Sequence, residues 1–159
     1  MAPKISNENV GQMLTRAKDD QAITQKQFDE LLAGLERKDT LGVLETASKI
    51  ETVLTNGLAP LEAETAKARK AFSASSFDAK ADPTPDKLLI ADGRGEDLSA
   101  AATNFSTQMT KMSDVKNIVR GLLAGIDKAG LSPADSSRLK AVFDAELVSI
   151  ATRMRLGGE

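Results

Sequence analysis

Residues 98–129 read LSAAATNFSTQMTKMSDVKNIVRGLLAGIDKA. Apolar side chains recur in this segment at alternating steps of three and four residues, interrupted only by the polar Gln108. This is the spacing of a helix that packs along one face. The candidate interaction seam consists of Leu98, Phe105, Met112, Val115, Val119, Leu122 and Ile126. The same period fits an internal core or a partner chain, so the pattern predicts a helix without choosing between them.

The ends of this helix are less well defined than its face. Asp97 or Ser99 can cap its start, and Gly130 is placed to end it. Ser113-Asp114 is a second helix-start signal inside the segment. Residues 98–129 therefore form either one long helix or two shorter ones.

Shorter apolar stripes precede this segment. Ser6 can cap a first helix, and Thr24 with Gln27 fits the capping box that opens a second one. A broad apolar face follows from Asp39, and Asn56-Gly57 predicts a left-handed stop. A further helix starts near Pro60, because proline suits a first helical position.

The final helix has a clear start, in which Ser132 caps, Pro133 takes the first position and Asp135 favours the positive end of the helix. Residues 57–60 and 130–133 share one turn pattern, Gly-Leu-Ala/Ser-Pro, so we expect two helical hairpins, over 39–76 and 98–155. Either a duplication or shared turn chemistry explains the likeness.

Residues 73–97 interrupt the helical pattern with serine, proline and glycine, which are typical of turns and linkers. The part over 77–97 also carries six acids against three bases. We therefore predict a long acidic loop there. The fold class that follows is all-α: one helical domain over 1–159, a bundle of about six helices, in which segments 6–76 and 98–155 flank the 77–97 linker.

Composition limits the possible functions. The net charge is -2 and neither Cys nor His is present, which excludes thiol or imidazole catalysis and zinc sites that use these ligands. A global attraction to nucleic acid is not expected from this charge. No stretch approaches the length of a membrane span, and residues 1–8 lack the apolar core of a secretory signal.

No catalytic, cofactor-binding or metal-binding residues are predicted. The glycines of Asp92-Gly93-Arg94-Gly95 lack the lysine and the Ser or Thr of a phosphate-binding loop. Glu146 is the one acid on the edge of an apolar stripe, where a Lys or Arg from a neighbouring helix is the expected partner.

These observations predict a non-enzymatic protein that works through protein–protein interaction. A structural or assembly component of a virion or secretion apparatus is the first hypothesis, with self-association or a protein partner. The second is a monomeric secreted effector or adaptor with a single partner. The cytoplasm is the default compartment, and signal-independent secretion or incorporation into a virion stays open.

Overall fold

A computed structural model describes the backbone of residues 7–157 and the side chains of residues 9–155. All regular structure in this part of the chain is helical, so the all-α prediction is confirmed. The α-helices are α1 (Asn7–Asp19), α2 (Gln25–Glu36), α3 (Thr40–Asn56), α4 (Leu58–Ala81), α5 (Pro85–Gly125) and α6 (Pro133–Gly157). None of these described helices is both long and apolar enough to cross a bilayer. The predicted Ser6 cap lies outside the described residues.

Local capping sets the starts of α2 and α3. The hydroxyl of Thr24 accepts the N–H of Gln27 at 3.1 Å, and the Thr24 N–H donates to Oε1 of Gln27 at 2.9 Å. The predicted capping box is therefore confirmed. Asp39 accepts the N–H of Gly42 at 3.1 Å and so caps α3. The predicted left-handed stop at Gly57 is wrong, because its φ is -73° and it continues almost directly into α4.

The predicted loop over 77–97 is also wrong, because these residues belong almost entirely to α4 and α5. Asp82, Pro83 and Thr84 alone separate the two helices. The Thr84 hydroxyl accepts the N–H of Lys87 at 3.2 Å, and Pro85 takes the first helical position, where no N–H is needed. Helix α5 thus begins well before Leu98.

The second half of α5 is continuous through Ser113-Asp114, so the segment is one helix and not two. It ends at Gly125, earlier than predicted. Asp127 accepts a backbone N–H at 3.0 Å and starts a short 3-10 turn, Lys128–Gly130. Ser132 then accepts the N–H of Asp135 at 3.1 Å, which confirms the predicted start of α6.

The helices group into two compact units, of which one contains residues 7–56 and 110–157. In this core unit α3 packs against α2 and α6, and α1 packs against α2. Its fully buried large apolar side chains are Leu14, Leu31, Leu44, Met112, Val115, Ile118 and Val119. The second half of α5 therefore supplies much of this core.

The second unit, Gly57–Met109, is a hairpin of α4 and the first part of α5. The Thr65 hydroxyl approaches the carbonyl oxygen of Ala101 at 3.3 Å, and a Cβ at Gly95 would lie 3.1 Å from the ring of Phe72. These pairings make the two helices antiparallel. Neither of the predicted hairpins, 39–76 and 98–155, corresponds to this pairing of α4 with the first part of α5.

Candidate functional site

The candidate seam on α5 is divided between the two units. Leu98 and Phe105 are half-buried in the hairpin unit, and Ile126, just after α5, is half-buried against the core of the other unit. The remaining seam residues are buried in the core unit: Met112, Val115, Val119 and Leu122. A buried side chain cannot contact a partner unless the unit opens, so in this conformation the seam contributes to the core. Its use as an interface stays a prediction.

A pair of buried carboxyl groups lies between α3 and α6. Glu51 is 1% exposed and Glu146 is 8% exposed. Among the described residues no donor satisfies either carboxyl oxygen of Glu51. The hydrogen-bonding group that faces it is the carboxyl of Glu146, so a hydrogen bond forms between them only when one of the two carries a proton.

The environment of Glu51 strongly favours its protonated form. Burial, followed by the hydrogen bond and the like charge of Glu146, raises the pKa of Glu51 from 4.5 to about 8. Arg153 on α6 and Lys116 on α5 act in the opposite direction but are outweighed. Burial and the neighbouring arginines in turn lower the pKa of Lys116. With a pKa of about 8, Glu51 is therefore expected to carry its proton at neutral pH.

The chemistry open to this pair is limited by its burial. A carboxyl with 1% exposure cannot meet a substrate in this conformation, so Glu51 is better suited to holding α3 against α6 than to acid–base catalysis. The described residues also contain no group of three or more acids placed to hold a metal ion. Glu146 was identified from the sequence, but a Lys or Arg was predicted to face it. Glu51 was missed, although its spacing from Leu44 and Ala47 places it on the inner face of α3.

A third buried acid, Asp114, lies on the inner side of α5. Burial, and then the hydrogen bond and charge of Asp20, raise the pKa of Asp114 to about 6, while Arg16 lowers it. The groups that face Asp114 thus come from α1 and from the turn that follows it. Asp114 therefore takes up its proton only near pH 6, whereas Glu51 keeps its proton to about pH 8 because their pKa values differ.

Exposed apolar side chains mark the end of the hairpin unit where α4 and α5 are joined. Phe77 on α4 is 78% exposed and Leu89 on α5 is 72% exposed. Leu88 and Ile90 are more than half exposed beside Leu89. We call Phe77, Leu88, Leu89 and Ile90 the hairpin-end residues. Contiguous exposed apolar surface on a folded chain can mark an interaction site.

A second exposed apolar surface runs along the outside of α6. Leu147, Val148 and Met154 are 65%, 66% and 71% exposed, and Ala151 lies exposed between them. Positions 147, 148, 151 and 154 share one side of a helix. We call these four residues the α6 outer face. The opposite side of α6 is the one that enters the core, through Leu139, Val142, Glu146 and Ser149.

Comparison with protein-family models, with curated protein sequences and with solved structures found no match to this chain.

Proposed function

We propose that this chain is a non-catalytic helical protein that works through protein–protein interaction, as a structural or assembly component that associates with further copies of itself. Virions and secretion machineries are assemblies in which such a component serves. The alternative is a monomeric secreted effector or adaptor with a single partner protein. The two hypotheses differ in whether the pure protein forms oligomers.

The observation that supports the proposal is the exposure of large apolar side chains at two separate places, the hairpin-end residues and the α6 outer face. Covering apolar surface is favourable by roughly 25 cal/mol per Å². Patches of this kind on a folded chain usually mark interaction sites. A second copy of the chain carries the same two apolar surfaces, so a contact between copies can cover apolar side chains on both sides.

The chemistry of the chain favours binding over catalysis. It has no His and no Cys, and its most perturbed carboxyl, Glu51, is shielded from any substrate in this conformation. We therefore propose neither a cofactor nor a small-molecule substrate. The net charge of -2 favours a protein partner over nucleic acid.

We also propose that residues 1–159 act as one helical domain of about six helices. Its helices would then unfold together, since small domains usually unfold in a single cooperative transition. Circular dichroism during thermal unfolding tests this point. Two well-separated transitions, one for each compact unit, would contradict it.

The test of function is the native mass of the purified protein, measured by light scattering after size exclusion over about a hundredfold range of concentration. The assembly proposal predicts a mass that rises with concentration to a multiple of 16.9 kDa. A constant mass of one chain at every concentration would contradict it. The adaptor alternative would then become the working hypothesis.

A further inference from the structure

The two exposed apolar surfaces differ in charge. Residues 77–97 carry Asp78, Asp82, Asp86, Asp92, Glu96 and Asp97 against Lys80, Lys87 and Arg94. Two of these three cations already have acidic partners. Lys87 lies 3.1 Å from Asp82, and Arg94 lies 3.7 Å from Asp97. At the hairpin end itself, Asp78, Asp82, Asp86 and Asp92 outnumber Lys80 and Lys87, so this end has an excess of negative charge.

The α6 outer face has the opposite balance. Residues 147–155 contain no acid, and Arg155 is the cation on the outer side, because Arg153 lies on the inner side near Glu51. Arg155 is exposed on the same side of the helix as Met154 and Ala151, and Lys140 lies further back along that side. Asp144 is the one exposed acid between Lys140 and Arg155. The α6 outer face is thus apolar with a cationic edge.

These charges decide which surfaces can pair. Two hairpin ends brought together would repel each other through their excess acids, and two α6 outer faces would repel through Lys140 and Arg155. A hairpin end against an α6 outer face joins opposite charges and covers apolar side chains on both sides. We propose that the hairpin end of one copy binds the α6 outer face of a second copy.

This inference rests on the proposed function, because it assigns the surfaces through which the copies associate. The interface is heterologous, since the two sides of the contact are different surfaces of the same chain. Each copy keeps one free surface of each kind after one contact has formed. Such contacts produce a closed ring if the rotation between copies closes, and an open filament if it does not.

The electrostatic part of the interface makes association depend on salt. Exposed charges are screened within about 8 Å at physiological ionic strength and within about 3 Å at 1 M. The apolar part does not weaken in this way. We therefore expect added sodium chloride to weaken the association several-fold without abolishing it.

The decisive experiment uses two variants that each block one side of the contact. Leu89→Glu places a charge among the hairpin-end residues, and Leu147→Glu places one on the α6 outer face. Ala102→Glu is the matched control, since it adds the same side chain at another exposed position of α5. All three positions are exposed on helices, so the folds should be retained, which far-UV circular dichroism verifies.

Leu89→Glu and Leu147→Glu should each self-associate on the order of ten- to a hundredfold more weakly than the wild type, since a buried leucine contact is lost. Both variants should therefore be monomers at concentrations where the wild type and Ala102→Glu form oligomers. An equal mixture of Leu89→Glu and Leu147→Glu retains one intact hairpin end facing one intact α6 outer face. Light scattering should then detect a dimer and nothing larger.

Other outcomes overturn the inference, and they differ from failure of the proposed function. If Leu147→Glu alone forms dimers through its intact hairpin end, or Leu89→Glu alone through its α6 outer face, like surfaces pair and the heterologous contact is wrong. If both variants assemble as the wild type does, the interface lies elsewhere. In each of these cases self-association stands. If the wild type itself is a monomer throughout, the proposed function fails and the inference fails with it.

Discussion

Replacing Glu51 with Gln should remove most of the pH dependence of stability near neutral pH. Glu51 has a pKa of about 8 in the folded chain against an ordinary value of 4.5, which we take for the unfolded chain. Between these two values the folded state holds a proton that the unfolded state has released. The resulting contribution to stability is complete below about pH 4.5 and is lost as the pH rises to about 8.

The expected magnitude follows from this difference in pKa. Each pH unit between the two values changes the free energy of unfolding by about 1.4 kcal/mol. Raising the pH from about 6.5 to about 8.5 should therefore lower the stability of the wild type by about 2 kcal/mol. The pKa of Asp114, about 6, lies below this pH range, so Asp114 contributes little to the change in stability.

Glutamine has nearly the shape of a protonated glutamate but does not ionise. The Glu51→Gln variant should match the wild type within about 1 kcal/mol at the lower pH and exceed it by roughly 2 kcal/mol at the higher pH. Urea unfolding followed by far-UV circular dichroism at both pH values gives the four free energies. Glu36→Gln, at an exposed position of α2, is the control and should lose stability with pH as the wild type does.

Two results would refute this reasoning. One is a variant that loses as much stability as the wild type over the same pH range, which would assign the effect to other groups. The other is a wild type whose stability is constant, which would mean that Arg153 and Lys116 stabilise an ionised Glu51 despite its burial.

Four further substitutions and one control test the fold. Gly93→Ala should stabilise the chain by roughly 1 kcal/mol, because a Cβ there meets nothing within 4 Å in an exposed part of α5. Gly34→Ala should destabilise it by about 1–3 kcal/mol, because its Cβ would lie 2.5 Å from a valine methyl of α3. Met112→Ala should cost about 2–5 kcal/mol by opening a cavity, whereas Met109→Ala on the same helix, 37% exposed, should cost under about 1 kcal/mol. Thr24→Ala should cost about 1 kcal/mol through loss of the capping box. Urea denaturation at a fixed pH measures the free energy of unfolding of each variant. A destabilising Gly93→Ala would contradict a helix at this position and favour the predicted loop.

The helix starts could be predicted wherever the capping chemistry was followed by an apolar stripe. Ser132-Pro133 and Thr84-Pro85 use the same arrangement, a hydroxyl cap before a proline at the first position. The first was identified as a helix start and the second as part of a linker. The second start was missed because Gly93 and Gly95 follow it, and each glycine disfavours a helix by about 1 kcal/mol. Close packing at Gly95 against α4 offsets that preference, and a single sequence does not reveal it.

The seam illustrates a second limit of sequence patterns. The three-four period correctly placed Met112, Val115, Val119 and Leu122 on one side of a helix. It could not say what covers that side, because helices of the same chain and of a partner satisfy the same spacing. In the structure the cover comes from the same chain, within the core unit.

The exposed surfaces were the least predictable part of the molecule. Leu88, Leu89 and Ile90 lie exposed on α5, inside the segment for which a loop was predicted. Leu147 and Met154 lie exposed on the outer side of α6. The apolar residues of α6 occupy positions all around the helix, so their spacing alone did not separate the inner from the outer side.

The most direct test of assembly through these surfaces is amide hydrogen exchange of the wild type at two protein concentrations about a hundredfold apart. We predict that the higher concentration slows exchange in residues 77–90 and 147–154, while residues 112–122 exchange at the same rate at both concentrations. Slower exchange confined to residues 112–122 would contradict this account, because it would make the α5 seam the interface.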